Sequence, residues 1–303
     1  MSDIGSIKTN LPSQTVRKPG KKPITTDATL VQEEKKTKPT TTRDTVANRI
    51  TRLFDQAGVT TSKYTKLDED LGKKLLRRKR VRQARKLENL EKILEKALDL
   101  SIEQVAEDQI DPDWFYSFID LAENIFSSTM QEIWGKIFAV EISKPGTFSL
   151  RTLQTLKQLT QRDAKIFQNA VGLTSRMKGE NSPKILFGYY QKPSIFSLFQ
   201  LSKNQQLNLA QFGLPYPDLL TLMDAGLIFS TEIESGEQDP KRKIEYRFGN
   251  DTFFLAPKRS GIFLNYYKFT ATGAELAKLV NSVPNSNYQH QIKVLLKGAF
   301  EVN

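Results

Sequence analysis

The chain has 303 residues, of which 38% are hydrophobic, and a formal net charge of +11 at pH 7. It contains no cysteine, which excludes disulfides, thiolate nucleophiles and cysteine-ligated zinc and fits a reducing compartment. No run approaches the roughly 18 consecutive apolar residues of a membrane span, and the N-terminus lacks the pattern of a secretory signal or a lipid anchor, so we expect a cytoplasmic protein.

The positive charge is concentrated in two segments. Residues 1–45 carry nine basic and five acidic side chains, and residues 71–86 carry nine basic side chains and no acidic one. The remainder of the chain is therefore close to neutral. Residues 1–44 also lack aromatic residues and any regular hydrophobic period, so they cannot bury enough apolar surface to offset the entropy of ordering, and we predict a disordered basic tail.

A helix is predicted near 45–57, followed by Gly58 at a C-cap position. One face of this helix would carry its large apolar residues, namely Val46, Ile50, Leu53 and Phe54.

A long helix is predicted next, from about Leu67 to Leu100, and its two halves differ. In the second half, apolar residues recur at spacings of 3, 4 and 3, a stripe typical of a helix that docks on the core or on a partner helix. The first half has basic residues on every face and should project into solvent. The stripe consists of Leu87, Leu90, Leu94 and Ala97.

The basic half of the long helix is the candidate nucleic-acid or anion-binding site. Its nine basic residues are Lys73, Lys74, Arg77, Arg78, Lys79, Arg80, Arg82, Arg85 and Lys86. Like charges at this density repel one another, so a counter-charge is expected. Nucleic-acid phosphates fit best, and the binding should be tolerant of sequence because the helix has neither an amide cluster nor an aromatic residue for base contacts.

Three alternatives to nucleic acid stay open at this point. The partner could be an acidic protein, or a second copy that pairs through the 67–100 helix. It could be an anionic membrane surface, although the apolar face of the basic half is thin and lacks aromatic residues. The basic helix could also hold a polyanionic substrate of an enzyme.

Four shorter helices are predicted between residues 111 and 171. Asp111-Pro112-Asp113 is a strong helix start, and Ser128–Gln131 matches a capping box that opens the second helix. Lys144-Pro145-Gly146 ends that helix, Ser149 caps a third helix that runs through Leu159, and Gln161–Val171 forms a fourth. Trp114 and Trp134 stand at core spacings and are expected to pack in the interior rather than to stack on bases.

Strands and helices alternate beyond about residue 180. Strands are predicted at Lys184–Tyr190, Ile244–Phe248 and Gly261–Phe269, with helices at Tyr216–Ala225 and Ala271–Val280. The predicted fold class is therefore α+β, mainly α. The predicted parts are a disordered tail at 1–44, a helix plus the long basic helix at 45–100, a helical middle domain at 101–175 and a mixed α/β unit at 176–303.

Residues 111–167 resemble a bacterial family that is classed only as a domain of unknown function. The resemblance rests on the consecutive motifs DPDW, AEN, MQEIWGKI and KPGTFSLRTL, and a similar layout extends it to about 70–280. It implies no established activity, cofactor or substrate, so the shared residues are expected to be structural.

The C-terminal unit more weakly resembles a winged-helix domain. The resemblance rests on LLTLMDAGLI at 219–228, the strand Ile244–Phe248 and FTATGAELAKL at 269–279. The chain departs from that pattern through an additional strand pair around Phe253–Leu255 and Gly261–Leu264. The helix at 217–225 also has no Lys or Arg, which argues against base reading by this unit.

Catalytic signatures are missing from the sequence. The single histidine, His290, is expected in a polar loop, and one histidine without cysteine cannot form a metal cluster. Phosphate-cradling and nucleophile-elbow motifs are also missing, so we expect a non-catalytic protein without a cofactor. Glu123 and Glu141 are the two carboxylates without an evident helix-end role, and they leave carboxylate-based chemistry open.

Overall fold

The computed structural model describes residues 46–60, 70–100, 108–192 and 203–303. The predicted tail at 1–44 lies outside these residues. The fold is α+β with more helix than strand, as predicted. The described residues between 51 and 303 form one compact unit, and residues 46–50 form the first turn of the first helix.

The helices of the described residues mostly begin at the signals that the sequence contains. The side chains of Asp70, Asp111, Ser149 and Thr160 each accept a hydrogen bond from a backbone N–H in the first turn that follows. The helices are α1 (Val46–Gln56), α2 (Leu71–Leu98), α3 (Pro112–Ala122), α4 (Ser128–Ser143), α5 (Leu150–Gln158), α6 (Gln161–Gly172), α7 (Tyr216–Asp224), α8 (Ala271–Ala277) and α9 (Ser286–Leu296).

The strands form two small antiparallel sheets, with the orders β1-β5-β6-β8 and β3-β2-β7-β4. The predicted strand pair around Phe253–Leu255 and Gly261–Leu264 is wrong, because β6 pairs with β5 and β8 whereas β7 pairs with β2 and β4. The strands are β1 (Arg176–Met177), β2 (Lys184–Gln191), β3 (Lys203–Gln206), β4 (Ile233–Glu234), β5 (Ile244–Phe248), β6 (Asp251–Pro257), β7 (Ile262–Lys268) and β8 (Phe300–Val302).

A continuous hydrophobic core extends from α2 through the central helices to both sheets. Trp134 is fully buried, and Trp114 is 6% exposed and donates a hydrogen bond from Nε1 to the carbonyl of Phe148, at 2.7 Å. Their predicted role in the core is confirmed. Glu275 of α8 accepts hydrogen bonds from Ser149 N and Thr152 Oγ1, at 2.7 and 2.6 Å, which attaches the start of α5 to the C-terminal region.

Helix α2 packs on α4 through its second half, and only part of the predicted stripe takes part. Gly135 of α4 allows a close approach, because a Cβ at this position would lie 2.7 Å from the Cβ of Lys96. The side of α2 that faces α4 contains Ile93 and Ala97, both buried, and Leu90 also packs against the core. Leu87 and Leu94 are 59% and 52% exposed, so these two residues do not dock on the core, and their docking on a partner helix stays a prediction.

The buried side of α2 also contains a polar residue, Asn89. Its Nδ2 donates to the carbonyl of Glu123 at 2.9 Å, and its Oδ1 accepts from Gln131 Nε2 at 3.1 Å. Gln131 also donates to the carbonyl of Ile125 at 2.9 Å. The capping box predicted at 128–131 is therefore wrong: the N-cap of α4 is Ser127, which makes no side-chain cap hydrogen bond, and Gln131 joins α4 to α2 instead.

His290 lies on a helix rather than in the predicted polar loop. Helix α9 begins at Ser286 after Asn285, whose side chain accepts from the backbone N–H of Tyr288. The buried residues of α9 are Tyr288, Ile292 and Leu296, at helical spacing, whereas His290 is exposed. The apolar residues in the second half of this segment anchor the helix in the core. The polar residues at its start form the first helical turn, which Asn285 caps.

Candidate nucleic-acid interface

The basic run occupies the N-terminal half of α2, where its charge opposes the helix dipole. Asp70 caps the helix and accepts from Gly72 N at 3.0 Å. Lys73 and Lys74 then stand in the first turns, where the partial positive charge of the helix end disfavours cations. Helix stability alone therefore does not account for this arrangement of charge.

The nine predicted binding residues fall into two groups by exposure. Four of them are half-buried, namely Lys74, Arg77, Arg85 and Lys86. The other five are exposed, namely Lys73, Arg78, Lys79, Arg80 and Arg82. None of the five forms an ion pair with another residue of the described ranges. These five side chains are therefore the part of the predicted site that is available to a ligand.

The turn after α1 covers one side of α2 next to Arg77, one of the half-buried residues. Gly58 is buried in this turn, has φ +72°, and approaches α2 so closely that a Cβ would lie 3.0 Å from the Cα of Arg78 and 3.1 Å from the Cβ of Val81. Arg77 donates a hydrogen bond to Thr60 Oγ1. The basic half is thus packed on one side, which corrects the prediction that it projects into solvent on every face.

Lys86, the last cation of the run, pairs with Glu123 at the end of α3. The ammonium donates a hydrogen bond to Glu123 Oε1, and the two side chains are 17% and 22% exposed. Beyond this point charges of both signs occur, and Glu88 and Lys92 form the expected i, i+4 pair at 2.6 Å. The hydrogen bond from Lys92 lowers the pKa of Glu88. Within α2, the exposed cations without an ion pair among the described residues therefore lie in the first half of the helix.

A shallow groove of about 450 Å³ runs along the exposed side of the basic half. Its lining contains no acidic residue and comes from about three turns of one helix, namely Leu75, Arg78, Lys79, Arg82, Gln83 and Lys86. Arg78 and Arg82 are four residues apart, which places them about 6 Å apart along the helix axis. Together with the exposed Lys79 they can contact several negative charges of an extended polyanion at once.

The two carboxylates without a predicted role are structural in this fold. Glu123 binds Lys86, as described above. Glu141 is 2% exposed and accepts hydrogen bonds from the backbone N–H groups of Gly146 and Phe148, so it fixes the turn between α4 and α5. Burial raises the pKa of Glu141, and these hydrogen bonds oppose that effect.

The described ranges also bear on metal binding and on membrane insertion. No group of three or more His, Cys, Asp or Glu residues is placed there to hold a metal ion. None of the helices in those ranges combines the length and the apolar character that crossing a bilayer requires.

Comparison with known proteins identifies a family but no activity. No curated protein and no solved structure matches the chain. A family model matches residues 73–293, a range that includes most of α2 and every described strand except β8. This agrees with the predicted resemblance over about 70–280. The chain belongs to the family described as "Protein of unknown function (DUF2806)".

Proposed function

We propose that this protein binds nucleic acid through the phosphate backbone, without sequence preference and without catalysing a reaction. The observation that carries the proposal is the group of exposed cations in the first half of α2, namely Lys73, Arg78, Lys79, Arg80 and Arg82, which have no acidic partner among the described residues. Cations that bind a polyanion release its condensed counterions, so such a group is stabilised by phosphates.

Binding without sequence preference is expected from the residue types. Base readout relies mainly on Arg, Asn and Gln side chains aligned with base edges and on apolar contacts in a groove. The groove on α2 has one amide, Gln83, and no aromatic residue. Arg78 and Arg82 are therefore assigned to phosphates. Two duplexes of unrelated sequence should bind with affinities within about threefold of each other.

The remaining parts of this proposal follow from the sequence. A winged-helix-like layout of the C-terminal region stays a prediction, and α7, with the sequence YPDLLTLMD, has no cation to add to the contact surface. The cysteine-free composition fits a bacterial cytoplasm. In that compartment nucleic acid is an abundant polyanion, which is consistent with the proposed ligand.

The test is a fluorescence-anisotropy titration of a random-sequence DNA duplex and of single-stranded RNA at low salt. In the binding variant, Arg78, Lys79, Arg80 and Arg82 are changed to Gln. The matched control changes the same number of exposed cations on α5 and α6 to Gln, namely Arg151, Lys157, Arg162 and Lys165.

We expect the wild type and the control to bind alike. The binding variant should lose at least about 100-fold in affinity, because four phosphate contacts are removed. Equal losses in both variants would show that net charge rather than the group of cations on α2 is responsible. Failure of the wild type to bind at low salt would refute the proposal and would favour an acidic protein as the partner of the basic helix.

A further inference from the structure

Helix α1 presents an apolar face that nothing in the described residues covers. Its four large apolar side chains are 77%, 52%, 59% and 57% exposed, and none of its residues is buried. They recur at spacings of 4, 3 and 1, so they share one side of the helix over about 12 Å. This surface, called the α1 face below, consists of Val46, Ile50, Leu53 and Phe54.

A second uncovered apolar surface lies on the outer side of α2. Leu87, Leu94 and Leu98 are 59%, 52% and 74% exposed. At 100° per residue they lie within an arc of roughly 40° and extend for about 17 Å along the helix. This surface, called the leucine stripe below, is on the side of α2 away from the buried Ile93 and Ala97.

The two surfaces are complementary in charge. Each places its apolar residues along one side of a helix, which lets one helix pack along another. Arg49 lies beside the α1 face, and Glu91 and Glu95 lie beside the leucine stripe. None of these three charged residues forms an ion pair within the described ranges, so opposite charges are available along the edges of the two surfaces.

We propose that the protein forms a homodimer in which the α1 face of each copy packs on the leucine stripe of the other. A twofold axis would make the two contacts equivalent and would cover all four exposed surfaces. Arg49 of one copy would then oppose Glu91 and Glu95 of the second. The proposal goes beyond nucleic-acid binding and does not depend on it.

An anionic bilayer fits these surfaces less well than a second copy does. A helix that lies on such a bilayer carries cations around its apolar side. The leucine stripe instead has Glu91 and Glu95 beside it, and the opposite side of α1 includes Asp55. Negatively charged lipid would repel Glu91 and Glu95, whereas Arg49 of a second copy attracts them.

The first measurement is the mass of the full-length chain by light scattering after gel filtration, over a range of concentrations. The expected mass is twice the chain mass of 34.5 kDa. Leu53→Lys or Leu94→Lys should give monomers. The matched control is Leu220→Lys on α7, which changes a leucine that is 41% exposed and should leave the dimer intact. A monomeric wild type, or dimers in all three variants, would overturn the proposal.

Cysteine pairing then tests the geometry, because the chain contains no cysteine of its own. Mixing a Leu53→Cys chain with a Leu94→Cys chain under oxidising conditions should give a covalent heterodimer. Mixing either chain with Leu220→Cys should not. A double variant with Leu53→Cys and Leu94→Cys that closes a disulfide within one chain would overturn the proposal, since α1 would then cover the stripe of its own copy.

Two further controls separate this inference from the alternatives. The dimer should persist at 1 M salt, because its contacts are mainly apolar, whereas phosphate binding is lost at that ionic strength. If the protein did not bind nucleic acid, the dimer could therefore still be tested by its mass in solution. Flotation with phosphatidylglycerol vesicles should not carry the wild type, and flotation that Leu53→Lys abolishes would assign the α1 face to membranes and overturn the dimer.

Discussion

The Lys86 ammonium donates a hydrogen bond to the Glu123 carboxylate and so joins the last cation of the basic run to the end of α3. The main-chain carbonyl of Glu123 also accepts from Asn89 Nδ2 on the same side of α2, at 2.9 Å. The same residue thus holds two successive turns of the basic helix. Lys86 positions α2 and is not among the five cations that are available to phosphates.

Changing Lys86 to Met should destabilise the protein by about 1 kcal/mol, because the pair is largely buried but still reached by solvent. The measurement is the free energy of unfolding in urea. A double-mutant cycle with Glu123→Gln should give a favourable coupling energy. Nucleic-acid affinity should change much less than it does with Arg78→Gln. A coupling energy of zero would contradict the role given to this pair.

Changing Asn89 to Ala should destabilise the protein by roughly 2 kcal/mol, because the carbonyl of Glu123 and one N–H of Gln131 lose their partner in a buried location. Chemical denaturation measures this effect. Changing the exposed Gln83, on the same helix, to Ala is the control and should be nearly neutral. Equal stability of the Asn89→Ala variant and the wild type would refute a structural role for this network.

Burial of Glu141 predicts a pH dependence of stability. Its pKa in the folded chain is raised above the ordinary value of 4.5, so folding takes up a proton between the two values. The contribution of Glu141 to the free energy of unfolding is fully present below pH 4.5 and is lost as the pH rises through the pKa of the folded state.

The difference in free energy of unfolding between the wild type and Glu141→Gln isolates this contribution. It should fall as the pH rises from about 4.5 towards 7, by at most about 1.4 kcal/mol per pH unit. A difference that stays constant would show that the hydrogen bonds from Gly146 and Phe148 cancel the effect of burial, and one that grows with pH would show that they outweigh it.

Helix starts were predictable from the sequence because their cause is local. Asp111 and Ser149 satisfy N–H groups two or three residues away, and such short-range chemistry leaves a readable pattern. The segment around His290 contained the same signal at Asn285. Its polar composition hid the helix because the apolar residues that anchor it, Ile292 and Leu296, come only in its second half.

Contacts between distant elements were not predictable in the same way. The leucine spacing on α2 indicated a buried stripe. The side of α2 that packs closely on Gly135 of α4 is a different one, and the buried residues of α2 include the polar Asn89. The composition of the basic run identified the candidate binding residues. It could not show that Arg77 binds Thr60 or that Lys86 binds Glu123, because each of these contacts joins residues far apart in the chain.

The most direct test of the proposed function is the salt dependence of binding to duplex DNA. Five available cations predict a slope of up to about −4.5 in a plot of log K against log salt concentration, at about −0.9 for each phosphate contact. In the variant with Arg78, Lys79, Arg80 and Arg82 changed to Gln, the slope should fall to about −1. Identical slopes for the two proteins, or wild-type binding that salt does not weaken, would contradict phosphate binding by α2.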